Sequence, residues 1–247
     1  MDTVRQDVFN SRCFPQSWST ITQEFTRFPN AIASGVATPH SFPGIITGTP
    51  VVGDGEFSDG ATTIMEAVRG KSVVFTNNGH LRAERGYDRG ATSFSDNQLP
   101  TNQQVSPPTV VDRLKQVDII NNSTILEKIY SRYRSVKTRN EYFTLDHDAG
   151  TVTDWAISEL ERDPPEFLWA HYMDAHKPFN PAKAIDPPQL NISKQRLDYL
   201  NDYDREDDPP NEADRQLLKD LYESNVRFVD ADLERLLEEV QTYDWYD

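Results

Sequence analysis

An α/β fold with a mainly parallel sheet flanked by helices is predicted by three features of the 247-residue sequence. Helix-like and strand-like segments alternate over most of the length. Two short apolar runs, Ser72 to Thr76 (SVVFT) and Phe167 to Tyr172 (FLWAHY), have the continuous character of buried strands. Hydrophobic residues make up 36% and aromatics 11%, enough to build a globular core. The length suits one large domain or two small ones. No internal repeat is visible.

Each element has its own local signal. Residues 41–48, SFPGIITG, read as a short helix closed by Gly48, with Thr38 as N-cap and Pro39 at the first helical position. Thr62 to Arg69 reads as a helix. Asn77-Asn78-Gly79 ends the first strand with turn chemistry. Residues 97–109, polar and proline-bearing, form a loop or linker, and 110–142 look helical but irregular. That stretch holds a basic cluster, Lys128, Arg132, Arg134, Lys137 and Arg139, best taken as a solvated face. Asp148 to Arg162 is an amphipathic helix with Val152, Trp155, Ala156 and Leu160 on one face, broken by Pro164-Pro165. A loop rich in Pro and Asp runs over residues 178–210. Its DYDREDD stretch lacks the glycine and spacing of a calcium-binding EF-hand. Asn211 then caps a long helix, with Asp214 at the capping-box position and Leu217, Leu218, Leu221, Phe228, Leu236, Leu237 and Val240 as its apolar stripe.

Composition excludes several functions. Forty acidic against 25 basic residues leave a net charge of −15, which repels phosphate backbones and argues against nucleic-acid binding. Asp outnumbers Glu 25 to 15 and Arg outnumbers Lys 17 to 8, a balance suited to high salt, where counterions screen the self-repulsion. An ordinary acidic cytoplasmic protein is the alternative. One cysteine excludes a disulfide scaffold and a thiolate zinc cluster. No apolar run is long enough to span a membrane, and no leader-like segment opens the sequence, so a cytoplasmic location is expected.

Among the five histidines, His80 and His176 each follow a strand at its carboxyl end, the edge where open α/β sheets bind ligands. His171 and His176, five apart, make a weak metal pair. Thr38-Pro39-His40-Ser41 at a helix N-terminus offers an anion site with a hydroxyl beside it. A threonine hydroxyl attacks only when its pKa is lowered, and Asp2 could supply a metal ligand.

In order along the chain, MDTVRQD, TPHSFPGIITG, NGHLRAERGYDRGATSF, FLWAHYMDAHKPF and YESNVRFVDADLERLLEEV resemble five motifs of the sulfatases of the alkaline phosphatase superfamily, in particular sulfatase-like proteins of haloarchaea. The resemblance implies one alkaline-phosphatase-like domain, with a variable insertion at about 97–142 and an acidic loop at about 178–210. It implies a divalent metal, calcium foremost with manganese, magnesium or zinc as alternatives, and a small anionic ester as substrate. Asp2 would be a metal ligand, and Thr38 would be the nucleophile and a second metal contact. His80 and His176 would contact the oxygens of the bound sulfate or phosphate, and Asn78, which stands where the family usually has a lysine, would be a third substrate-binding residue.

Departures from the pattern carry expectations of their own. Thr38 and Phe42 occupy the positions of the Cys or Ser that becomes formylglycine and of the Arg four residues on, so no formylglycine is expected. Cys13-Phe14-Pro15-Gln16-Ser17 imitates the start of that signature and is set aside as a decoy. Only Met1 precedes Asp2, and the sequence stops after the long helix. A domain lacking its first strand and its second metal half-site, with little or no activity, is therefore expected. The functions left open are a metal-dependent hydrolase of sulfate or phosphate esters, a phosphoryl-group transferase and a non-catalytic remnant. A binder of acidic polymers through the basic cluster is a distant fourth.

Overall fold

The computed structural model describes residues 1–49, 57–58, 60–96, 148–201 and 209–246. The expected loop at 97–109, the helical stretch at 110–142 with its basic cluster, and the DYDREDD segment lie outside the described residues.

Three parallel strands form the sheet: β1 (Ser72–Thr76), β2 (Ser93–Asp96) and β3 (Phe167–Ala170), in the order β2-β1-β3. β1 is central and buried at all five positions, which is why it reads as an unbroken apolar run. Side chains alternate between the faces. In the row Phe94–Val74–Trp169 they pack with Ile46, Met65, Leu81 and Tyr87 on one face. In the next row Phe75 and Ala170 pack with Val152, Tyr172 and Val229 on the other. The α/β class and the parallel sheet match the prediction.

The helices cover these faces. α1 (Trp18–Glu24), α2 (Thr38–Thr47) and α3 (Ile64–Ala67) precede the sheet. α4 (Ala149–Arg162) leads into β3, and α5 (Lys194–Asn201) and the 29-residue α6 (Glu212–Val240) follow it. α2 and α3 supply the first face through Ile46 and Met65, while α4 and α6 supply the second. Gly48 closes α2 in the left-handed conformation, φ 68°. Thr38, expected as the N-cap, is instead the first helical residue behind Ala37 and makes no capping hydrogen bond.

The helix expected over 62–69 shortens to Ile64–Ala67: Thr63 and Glu66 close a capping box at its start, and Val68 is already extended at its end. α4 begins at its cap, with the Asp148 carboxylate accepting from the Thr151 N–H at 3.0 Å. Asn211 and Asp214 form the expected box at the start of α6. β3 ends at Ala170 rather than Tyr172. The His171 N–H still donates to the Phe75 carbonyl, but the Tyr172 carbonyl accepts from the Asp2 N–H at 2.9 Å. The stretch expected as a plain loop over 178–210 carries α5 and a 3-10 turn at Pro181–Lys183.

α6 is the spine of the structure. Its buried face contains Leu221, Val226 and Val229, but also Glu223, Ser224, Asn225, Asp230 and Asp232. Asp230 accepts from the backbone N–H of Gln16 and Ser17 and from the Ser17 hydroxyl at 2.5–3.0 Å, which fixes the start of α1. Glu223 pairs with Arg12 at 2.7 Å. Asn225 holds Asn180 and Lys183 through three hydrogen bonds. Cys13 and Phe14 are fully buried against Tyr222 and Val226, so the Cys-Phe-Pro-Gln-Ser stretch serves the core.

Candidate active site

The connection from β1 to β2 packs Leu81 and Tyr87 on one face of the sheet, whereas α4, leading into β3, packs on the other. With strand order β2-β1-β3, the order in which strands join the parallel sheet reverses between β1 and β3. A crevice opens at the carboxyl ends of the strands where such a reversal occurs. Asn77 and Asn78 lead out of β1 into it and His171 leads out of β3.

Asp2 sits in this crevice. Its Oδ2 accepts a hydrogen bond from Asn78 Nδ2 at 2.8 Å and lies 3.4 Å from His171 Nε2. Burial pushes the carboxyl up, but the hydrogen bond and charge of His171, the charge of His176 and the Asn78 amide outweigh it and hold it below its ordinary value. His171 is only 2% exposed. Burial, reinforced by the charge of the amino terminus and then of His176, lowers its pKa against the pull of Asp2. The ring is therefore neutral at pH 7, with the Nε2 proton toward Asp2. Its Nδ1 is buried without a hydrogen-bond partner.

Asn78 serves two neighbours. Besides donating to Asp2, it accepts from the His80 N–H at 2.9 Å through Oδ1, an Asx turn that sets the course of the chain out of β1. His80 is exposed. Partial burial lowers its pKa first, followed by the charges of Arg85, Arg82 and His176, with Asp2 acting in the opposite sense. His176 Nδ1 lies 2.6 Å from the Lys177 carbonyl. A carbonyl only accepts, so Nδ1 carries a proton, and Nε2 carries one only when the ring is charged. The rim thus collects His80 and His176 beside Arg82 and Arg85, and the two arginines make it a local excess of positive charge on a chain of net −15.

The structure brings Asp2, Asn78 and His171 into contact, with His80 and His176 close enough to act on them through charge. Thr38 is placed differently. It makes no hydrogen bond with these groups among the described residues, and it joins the crevice through Phe42, one helical turn further along α2. The Phe42 ring stacks on His171 at 5.1 Å and on Trp169 at 5.7 Å. Sequence reasoning undervalued His171, which it considered only as half of a weak metal pair. Its place near the carboxyl end of the predicted strand, the sheet edge that singled out His80 and His176, was the available signal.

The donor set does not fit a divalent cation. Among the described residues no group of three or more His, Cys, Asp or Glu side chains converges to hold one. Asp2 Oδ2 already faces the Asn78 amide and His171 Nε2. A hard cation such as calcium takes six to eight oxygens, more than Asp2 and Thr38 provide.

The order of these motifs along the chain agrees with a match to the Sulfatase family model over residues 2–246. The chain belongs to the sulfatase family. No curated protein and no solved structure gives a significant match. Membership of the sulfatase family places the chain with hydrolases of small esters that generally depend on a divalent metal. No helix among the described residues is long and apolar enough to cross a membrane.

Proposed function

We propose that this sulfatase-family chain cleaves small sulfate or phosphate esters, with Thr38 as the attacking hydroxyl. Family membership and the convergence of Asp2, Asn78 and His171 in the β1–β3 crevice, under a rim of His80, His176, Arg82 and Arg85, support this assignment. The anion sits against that rim, where the side chains of Arg82 and Arg85 and the imidazoles of His80 and His176 face its oxygens as negative charge builds in the transition state. Thr38 at the start of α2 benefits from the positive end of the helix dipole, which favours an anion there. Its Oγ1 attacks sulfur or phosphorus as the ester S–O or P–O bond breaks, and the hydroxyl proton passes to the departing oxygen, which leaves as the alcohol. Water then releases the anion, while an alcohol taking water's place at this stage makes the reaction a phosphoryl transfer. Asn78 orients Asp2 and His80 rather than touching the substrate. Phe42 in place of an arginine leaves the α2 side of the crevice apolar. Threonine at position 38 is not a formylglycine precursor. Calcium, manganese, magnesium or zinc is the cofactor that the family brings, but the described donors do not form its cage, and no step above depends on it. The acidic surface suits the chain to high salt.

The shortage of metal donors favours a second reading, a protein that binds the anion without turning it over. One experiment separates the two. Hydrolysis of 4-nitrophenyl sulfate and 4-nitrophenyl phosphate is measured with chelator and with each of the four cations, alongside equilibrium binding of inorganic sulfate and phosphate. Turnover that disappears in Thr38→Ala establishes the hydrolase. Anion binding with no turnover under any condition establishes the second reading.

A further inference from the structure

A cavity of about 640 Å³ opens beside His176, between the amino-terminal segment, the chain following β3 and α6. That volume lies within the range of small-molecule sites. Phe179 and Tyr222 form an aromatic flank, with ring centroids 5.6 Å apart at 44°. Three cations line it: Arg5, Lys177 and Lys219. The chain has only eight lysines, so two in one cavity run against its overall composition. Asp7 is the carboxylate among the lining residues, and Arg5 binds it at 2.8 and 2.9 Å. Lys177 Nζ donates to the Leu200 carbonyl at 3.2 Å. Lys219 is exposed and makes no hydrogen bond or ion pair among the described residues, although its charge acts on Asp7.

We infer that this cavity receives the alcohol portion of the ester and selects a ring-bearing alcohol with a second anionic group, with Lys219 as the specificity-determining residue. The inference rests on the proposed ester chemistry only for the position of the reacting group. His176 is shared between the anion rim and the cavity, so an ester bound at the rim directs its alcohol toward the aromatic flank. A ring packs against Phe179 and Tyr222, and a carboxylate or second sulfate on it faces Lys219.

The test uses free alcohols, which bind without chemistry. Ligand-observed NMR titrations at low ionic strength compare phenol, 4-hydroxybenzoate and 4-hydroxybenzenesulfonate, whose C–S bond is not an ester, against the native chain, Lys219→Gln and Lys219→Arg. Thermal unfolding confirms that the variants are folded. The expected result is tighter binding of both anionic phenols than of phenol. Lys219→Gln should lose about fivefold of that preference, as expected for one exposed charge pair, and Lys219→Arg should keep it. Preference for only one of the two anionic phenols identifies whether a carboxylate or a sulfur oxyanion is the selected group. Equal binding of phenol and both anionic phenols, or an unchanged preference in Lys219→Gln, overturns the inference whether or not any ester is cleaved. Anion-selective binding without ester cleavage upholds the cavity and rejects the hydrolase.

Discussion

Raising the pH through the range from 4 to 6 should destabilise the native chain through a single carboxyl, Asp174. Asp174 lies two residues before His176, is 3% exposed, and neither carboxylate oxygen has a hydrogen-bond partner. Burial pushes its pKa from 3.8 up to about 6. The charge of Lys183 pulls the other way, and that of Asp148 adds to the rise. In the unfolded chain this carboxyl loses its proton near pH 3.8, whereas the native chain keeps it to about pH 6. Between these values the native state binds the extra proton, so its stability is greatest at the acid end and falls as pH rises, then levels off. A shift of about two units corresponds to about 3 kcal/mol across the whole window, of which about 1.4 kcal/mol falls between pH 5 and 8. Urea unfolding of the native chain and of Asp174→Asn at pH 5 and 8, at one fixed salt concentration, measures this. Other carboxyls titrate in both proteins and cancel. The native chain should lose about 1.4 kcal/mol more than the variant. Parallel losses would refute the assignment of this proton to Asp174.

Three further outcomes follow from contacts described above. Asn78→Ala removes the 2.8 Å donor to a buried carboxylate and should cost about 1–3 kcal/mol in urea unfolding. A cost below about 0.5 kcal/mol would show that the crevice does not depend on this bond. Asp230→Ala leaves the Gln16 and Ser17 N–H groups and the Ser17 hydroxyl without their acceptor. It should cost about 2–4 kcal/mol and raise amide exchange over Trp18–Glu24, and unchanged exchange there would contradict the clamp. Cys13 is fully buried, and burial raises its thiol pKa. It should resist thiol reagents in the native chain and react after unfolding in urea, so rapid labelling without denaturant would show that the amino-terminal segment opens.

Much of the fold could be read from local signals, because local physics determines those parts. β1 is buried on both faces, and α4 and α6 start at capping residues whose side chains bond backbone three positions away. The buried face of α6 was not readable in this way. Its stripe of leucines missed Val226 and Val229, and no apolar periodicity could place Glu223, Asn225 or Asp230 inside. Those three are buried because Arg12, Asn180 and Ser17 meet them, and these partners lie 45 to 213 residues away. The crevice was only partly readable. Asp2, Asn78, His80 and His176 follow from motif order, but the contact between His171 and Asp2 joins residues 169 positions apart and exists only once the strands pair. The link from Thr38 to the crevice through Phe42 also depends on how α2 lies across β3.

The clamp between Ser17 and Asp230 also has a consequence for synthesis. The two residues are 213 positions apart. At about 5–20 residues per second, roughly ten to forty seconds pass between their appearance at the ribosome. For nearly all of that interval Phe14 and the Cys13 thiol are already made while Tyr222 and Val226, which cover them in the finished fold, are not. A thiol inert in the native protein is thus open to oxidation or to a chaperone's grip while the chain is being made. Oxidative damage to this residue is a hazard of the nascent chain, and slower translation lengthens the exposure.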